Sequence, residues 1–427
     1  MGIPGLFQKL KRSKMNGEPW DPLAKTDVHF EIDILGTFFW FLISQLTKGV
    51  DPVRVGESLA NYLTNFFDSD QDRCTLHMDG APTRQKRKAR DERANTRAKT
   101  RQRVQKDLDI MQRRSNDGKW TSQSIVHRIQ RDTPRLYILT EQTKAALRQG
   151  LATRYQVCPC QGEADTCIAV KIKEEPRMTN GNGGHRIAVS ADSDLLVYED
   201  IPYVLRRNPT SQEYSLYTKT SVIKALDLPS AAHLTVLGVV CNNDYSPNIE
   251  QYNIGKNAKI LRGVVSAGMT TTAIFRAYRK EMRNKVPGFD FESFNPARDI
   301  FIQMNHTVEV DVVNNNDYNA FVTRFEALKQ HRFQVRAQQL AQQAAQQQAA
   351  QPTAQQAGPP PQVGPPIALG AGRRFVSCSC REAYHVDREH RTDDLSFFFL
   401  PCYLDFTSRR DRNTISFGRC STRRAIF

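Results

Sequence analysis

Seven carboxylates recur in five short blocks over the first 244 residues, and most of them close a short apolar run. Asp33 stands in Phe30-Glu-Ile-Asp-Ile-Leu35 and Asp79 in Leu76-His-Met-Asp-Gly80. Glu163 and Asp165 share Gln161-Gly-Glu-Ala-Asp165, Asp192 and Asp194 share Val189-Ser-Ala-Asp-Ser-Asp194, and Asp244 lies in Cys241-Asn-Asn-Asp-Tyr245. An acid after a buried apolar run reads as the end of a strand. The set would therefore gather at one edge of a sheet. Carboxylates held together there repel one another unless cations occupy the space between them, and hard oxygen ligands of this kind suit magnesium or manganese. A lone acid after a strand is usually a turn or helix-cap residue. The weight lies in the full set.

Between these blocks the pattern alternates between strand and helix. Glu57 to Phe67 has apolar residues at helical spacing, and Thr75 to Met78 reads as a short strand entering Asp79. Leu136 to Leu139 is a strand candidate, Thr140 to Gln149 a helix closed by Gly150, and Tyr155 to Cys158 the next strand. Glu163 to Lys173 predicts a helix with Ala164, Cys167, Ile168 and Val170 on its inner side. Ile187 to Val189 leads into the Asp192 loop, and Leu234 to Cys241 into Asp244, in the same strand-like manner. Such alternation predicts an α/β fold with a mainly parallel central sheet flanked by helices, whose ligands sit at the carboxyl ends of the strands. Ile34 to Ser44, the longest apolar stretch, is too short to cross a bilayer and reads as a buried strand running into a helix.

The net charge of +15 is unevenly placed: Arg84 to Lys106 holds eleven Lys or Arg against two acids. A local excess of this size favours phosphate backbones without reading sequence, with Arg84, Lys88, Arg90, Arg97, Lys99 and Arg101 as the contacts. Residues 84–114 predict a long basic helix or helix pair, polar all round and unable to pack into a core by itself. The nine cysteines lack paired spacings, which fits a reducing interior. Cys158-Pro-Cys160 reads as a strand end beside the acidic helix. Met1-Gly2 has the form of a myristoylation site, but Leu6 stands where Ser or Thr is required, so neither a lipid anchor nor a membrane partner is expected.

Taken with Met1-Gly-Ile-Pro-Gly-Leu6 and Asn243-Asp-Tyr245 followed by Ile254-Gly-Lys256, these blocks resemble the flap endonuclease/XPG family of structure-specific nucleases over residues 1–275. The resemblance implies a PIN-like 5′-nuclease fold with a basic helical arch and a helix–two-turn–helix element. It implies two Mg2+ ions, with Mn2+ as a substitute. Asp33, Asp79, Glu163 and Asp165 would surround one ion, and Asp192, Asp194 and Asp244 the other. Lys86 and Arg93 match the arch residues that contact the scissile phosphate, and Gly2 the processed N-terminus beside the active site. Gly255 and Lys256 match a hairpin that offers backbone amides, and commonly a K+ ion, to a duplex phosphate.

The chain departs from the family in three places. Asn253 replaces the first hairpin glycine, where Asn tolerates the left-handed turn. Bulky Ile34 and Leu35 follow Asp33, and the loop between Pro247 and Tyr252 is a residue longer. The implied activity is a magnesium-dependent 5′ endonuclease, monomeric and nuclear, acting on flapped or branched DNA with single-strand/double-strand junctions. A 5′–3′ exonuclease on DNA or RNA would use the same metal site. Loss of carboxylates would mark a non-catalytic nucleic-acid-binding protein, and all seven are present.

The expected organisation is a nuclease of three parts: residues 1–110 with the basic arch, 111–275 with the helix–two-turn–helix, and a helical 276–336. Residues 337–372 carry no charge and read as a Gln/Ala/Pro-rich linker, its first half capable of transient helix. The basic tail 373–427 shows no recognisable domain. Its Thr392-x-x-Leu395-x-x-Phe398-Phe399 resembles a sliding-clamp-binding peptide, with Thr in place of the usual Gln. Cys378, Cys380, His385, His390, Cys402 and Cys420 have zinc-ligand chemistry but no standard knuckle spacing.

Overall fold

The computed structural model describes residues 3–21, 28–67, 73–176, 184–208, 213–264, 268–309 and 313–349, all within a unit that ends at Pro352. Gly2, the Leu395/Phe398/Phe399 cluster and the cysteines and histidines of the tail lie outside the described residues. The strands are β1 (Glu18–Trp20), β2 (Val28–Asp33), β3 (Cys74–Met78), β4 (Gln156–Pro159), β5 (His185–Val189), β6 (Tyr203–Arg207) and β7 (Tyr214–Thr218). The helices through the first half are α1 (Leu6–Arg12), α2 (Ile34–Leu46), α3 (Pro52–Phe67), α4 (Arg87–Asn116), α5 (Gln123–Asp132), α6 (Glu141–Leu151) and α7 (Ala164–Glu174). Those that follow are α8 (Lys219–Leu226), α9 (Ala231–Val240), α10 (Ile254–Gly263), α11 (Thr271–Lys285), α12 (Asn295–Phe301) and α13 (Asn316–Ala349).

Among the described residues one sheet forms, in the order β1-β7-β6-β5-β2-β3-β4. From β6 to β4 the strands run parallel, and β7 and β1 extend the sheet by antiparallel pairing. The expected mainly parallel α/β architecture is the one observed. β2 lies between β5 and β3, and all six of its residues are buried. Alternation along it sends Phe30 and Ile32 into an apolar core with Leu76, Val189 and helices α2 and α3. His29, Glu31 and Asp33 point to the opposite face. There Glu31 accepts from His77 Nε2 at 2.7 Å and pairs with Arg186, so a buried ionic network stands where apolar packing would be usual.

A second core joins α7 to α9, α11 and α12 around Tyr198 and Tyr278. Helix α6 crosses α3 at Gly56 and Gly150, where a Cβ on Gly150 would lie 2.0 Å from the Val53 carbonyl oxygen. Gly150 therefore sits inside α6 for close approach and does not close it. Leu136 to Leu139 forms no strand: a 3₁₀ turn over Thr133–Leu136, with Pro134 at its start, runs into irregular chain. Ile34 to Ser44 is helix throughout, β2 ending at Asp33. Leu234 to Cys241 is also helical up to Val240; α9 is buried on every side, so its apolar run shows no period by which helix and strand could be told apart.

Helix α4 is only half a solvent-facing arm. Its first turns are largely exposed, whereas Val104, Leu108 and Met111, at helical spacing, pack with Ile125 and Ile129 of α5 and with Tyr318, Phe321 and Phe325 of α13. This small core anchors the basic helix from its C-terminal half. Helix α13 continues past Arg336 to Ala349, with exposed side chains from 337 to 348.

Candidate metal centre

Each carboxylate is held by the local structure that its own neighbours dictate. Asp33 caps α2: its Oδ1 accepts from Gly36 N at 2.8 Å and its Oδ2 from Ser190 Oγ at 2.9 Å. Residue 36 must be glycine here, since a Cβ would fall 1.8 Å from Asp33 Oδ2. Asp79, just past β3, accepts from Ala164 N at 2.7 Å and so caps the N-terminus of α7, where the helix dipole favours negative charge. The adjoining loops are tied together, Gly80 N donating to the Gly162 carbonyl at 2.8 Å and leaving no room for a side chain on Gly80 against Cys160 O.

Glu163 precedes α7 and takes Thr83 Oγ1 at 2.9 Å on one oxygen and the Lys86 ammonium on the other. Asp165 enters with the first turn of α7. Asp192 and Asp194 follow β5 on a loop shaped by Ser190, whose Oγ accepts from Asp192 N at 3.0 Å. Asp244 lies in the loop between α9 and α10, where Asn243 Oδ1 accepts from the amides of Tyr245 (2.8 Å) and Ser246 (2.7 Å). The acids after β2, β3 and β5 stand at carboxyl ends of parallel strands as the sequence suggests, and Asp244 follows a helix.

Oxygens of Asp165, Asp192 and Asp194 come within 4.8 Å of one another, with all three side chains buried. The structure thus groups Asp165 with the pair that follows β5. Asp165 Oδ1 and Asp194 Oδ1 are both shielded from solvent without a hydrogen-bond donor. Two buried acceptors on neighbouring acids without donors are costly in a protein alone, and a hard divalent cation is the group that fits them. The proton affinities record the same crowding. Burial, then the Asp79 charge, lifts the Asp33 carboxyl to about 7. Burial and Glu163 raise Asp79, and burial with Asp33 and Asp192 raises Asp165 well above the carboxylate range. Burial also lifts Asp192, and burial together with Asp192 lifts Asp194.

Basic side chains from the start of α4 partly offset this charge. Lys86 ends the 3₁₀ turn before α4, pairs with Glu163, and lies 5.2 Å over the Tyr245 ring. Burial alone would lower its proton affinity, but Glu163, Asp79, Asp165 and Asp244 raise it well above the usual ammonium value. Arg93 pairs with Asp244. The fold thus brings both Lys86 and Arg93 onto the acids. Arg90 pairs with Glu309 and Arg101 with Asp317 of α13, while Arg84, Lys88 and Lys99 are exposed and Arg97 is half-buried. Gly255 and Lys256 open α10. Asn253 is extended (φ −81°), not left-handed, and caps the helix by accepting from Lys256 N at 3.1 Å.

Several contributors carry no signal in the sequence. Ser193 receives the Ile3 amide at 2.8 Å and so ties the start of the chain to the Asp192–Asp194 loop. Residues 306–309 strap the base of α4: Arg84 N donates to Thr307 O, Glu309 N donates to Pro82 O, both at 2.8 Å, and the His306 ring covers Gly162.

No protein-family model matches the chain, and no curated protein matches it. Among solved structures it is similar to the catalytic core of Rad2 in complex with DNA substrate, at 13% identity and a TM-score of 0.43 over 77% of this chain and 95% of that one. It is also similar to flap endonuclease-1 from Methanococcus jannaschii, at 15% identity and a TM-score of 0.40 over 74% and 93%. A third likeness is the T5 D15 protein co-crystallized with metal ions, at 12% identity and a TM-score of 0.36 over 70% and 98%. All three stay under a TM-score of 0.5, so the chemistry of the site rests on its own side chains.

Proposed function

We propose that this chain is a divalent-metal-dependent nuclease, a structure-specific 5′ endonuclease that hydrolyses phosphodiester bonds in flapped or branched DNA. The observation that carries the reading is the convergence of seven carboxylates, two with buried oxygens lacking donors, beneath one end of a strongly basic helix. Asp33, Asp79, Glu163, Asp165, Asp192, Asp194 and Asp244 would hold two magnesium ions, with manganese as a substitute. Bound there, the ions supply a water activated at neutral pH and neutralise charge at the leaving oxygen.

The chain's own residues do the rest. Ser190, Gly36 and the Ala164 amide fix the orientation of Asp33 and Asp79. Lys86 and Arg93 act as counter-charges on Glu163 and Asp244. With cations held by the acids, both side chains would be donors for the phosphate to be cut. The exposed Arg84, Lys88 and Lys99 continue the positive track along the helix and attract backbone irrespective of base sequence. Away from the centre, the N-terminus of α10 would offer the Gly255 amide and the Lys256 ammonium to a duplex phosphate.

The test is incubation of the full chain with end-labelled flap, gapped, hairpin and single-stranded DNA, with magnesium or EDTA. Asp192→Ala and Asp79→Ala should abolish cleavage and leave binding largely intact. Cleavage of all four substrates at equal rates would remove structure specificity. Release of single nucleotides from gapped ends without a flap product would replace the endonuclease with a 5′–3′ exonuclease. Cleavage by either variant near the unmutated rate would overturn the metal assignment.

A further inference from the structure

Behind the carboxylates lies a second cluster of different chemistry. His77 of β3, Cys158 of β4 and Cys160 just beyond it place a ring nitrogen and two sulfurs within 4.8 Å of one another. The two cysteines are two apart on an extended chain, so their side chains leave it on the same face. Cys167, in the first turns of α7, is their electrostatic neighbour: hydrogen bonding to Cys160 and the His77 charge pull its thiol down to about 5. His77, Cys158 and Cys160 thus meet in one place, and Cys167 of α7 stands beside them as the candidate fourth ligand.

The histidine is oriented for ligation. Its Nε2 is engaged by Glu31 at 2.7 Å, and Glu31 is itself held by Arg186. With the proton on Nε2, the Nδ1 lone pair points at the thiols, 3.8 Å from Cys160 Sγ. A carboxylate behind a histidine in this manner is the usual second-layer support of a metal-bound imidazole. Zinc–sulfur and zinc–nitrogen bonds of about 2.3 and 2.0 Å in a tetrahedron set nitrogen–sulfur edges of about 3.5 Å. The observed separation is a few tenths of an ångström from that. All three thiols are free; Cys160 is buried, while Cys158 and Cys167 keep partial access to solvent, which leaves a path for an ion.

We propose that His77, Cys158, Cys160 and Cys167 form a Cys3His zinc site, separate in chemistry from the oxygen-lined centre. Thiolates prefer zinc over magnesium, so the two sites would not compete for one ion. Four protein ligands leave no open position, which makes the role structural. The ion would clamp β3, β4 and α7 together immediately behind Asp79, Glu163 and Asp165.

The experiment measures zinc by mass spectrometry in the purified full chain after dialysis into magnesium buffer, and the absorption spectrum after cobalt(II) replacement. One zinc per chain and the intense bands of tetrahedral thiolate-bound cobalt are expected. Both should be lost in Cys160→Ser and in the milder, partly exposed Cys167→Ser, and both retained in Asp192→Ala. Because the tail also carries cysteines, Cys378→Ser with Cys380→Ser should leave zinc at one equivalent. Absence of zinc and of cobalt–thiolate bands in the unmutated chain would overturn the proposal, as would zinc that survives Cys167→Ser and is lost with the tail cysteines. If Cys160→Ser fails to fold, the cobalt spectrum of the unmutated protein and the Cys167→Ser comparison decide alone.

Discussion

Asp33→Asn should stabilise the metal-free protein while abolishing its activity. The Asp33 carboxyl is lifted from its ordinary value near 3.8 to about 7 by burial and by the Asp79 charge. That difference corresponds to an ionisation penalty of ~4 kcal/mol when the group is fully charged. The folded-state value lies above the unfolded one, so the penalty grows as pH rises from about 4 and is complete above about 7. An amide keeps the Oδ1 acceptor for Gly36 N and presents a donor to Ser190 Oγ, so the local hydrogen bonds survive without the charge. Urea unfolding in EDTA should show the variant more stable by up to ~4 kcal/mol at pH 8, and by less than half of that, roughly 1.5–2 kcal/mol, at pH 5. Magnesium should then reverse the order, because only the intact carboxylate set gains binding free energy from the ion. Equal destabilisation of the variant at both pH values in EDTA would show that the Asp33 charge carries no such cost and would refute the reasoning.

Lys86→Ala with Arg93→Ala should slow single-turnover cleavage at least 100-fold with little loss of affinity, whereas neutralising Lys88, Arg97 and Lys99 should mainly weaken binding and flatten its salt dependence. Filter binding and quench-flow on one flap substrate separate the two, and a purely affinity effect in both sets would remove the arch assignment. Gly150→Ala should cost about 3 kcal/mol, since its Cβ would meet the Val53 carbonyl 2.0 Å away. Gly263→Ala in α10, with nothing within 4 Å, should be neutral or stabilising by up to ~1 kcal/mol; the pair of denaturation curves checks both. A chain ended after Arg336 should remain folded and active, because side chains from 337 to 348 are exposed while the Trp120 ring keeps its contacts with Arg332 and Arg336. Loss of activity on that truncation would place part of the remainder in the catalytic unit.

Much of the site was legible because its acids close strands whose pattern is local. β2, β3 and β5 each end an apolar run at or just before an acid, and a strand's residues, unlike its partners, are neighbours in sequence. The parallel α/β class followed from the same alternation. Glu163 and Asp165 were readable as the start of a helix for a similar reason, cap and first turn being set by adjacent residues.

What failed locally failed where burial removes the signal: α9 has no polar face, so its apolar run before Asp244 cannot be told from a strand. Gly150 looked like a helix end because its purpose, the close passage of α3, lies almost a hundred residues earlier in the chain. The same limit separates the basic run from its partners. Composition marks residues 84–106 as a strongly basic segment, but only the fold sets Lys86 on Glu163 and Arg93 on Asp244, and only packing with α5 and α13 supplies the apolar surface that anchors Val104, Leu108 and Met111. His77, Cys158, Cys160 and Cys167 come from β3, β4 and α7. Residue types and local period are written along the chain, whereas a ligand set assembled from three elements exists only once their register and packing have brought it together.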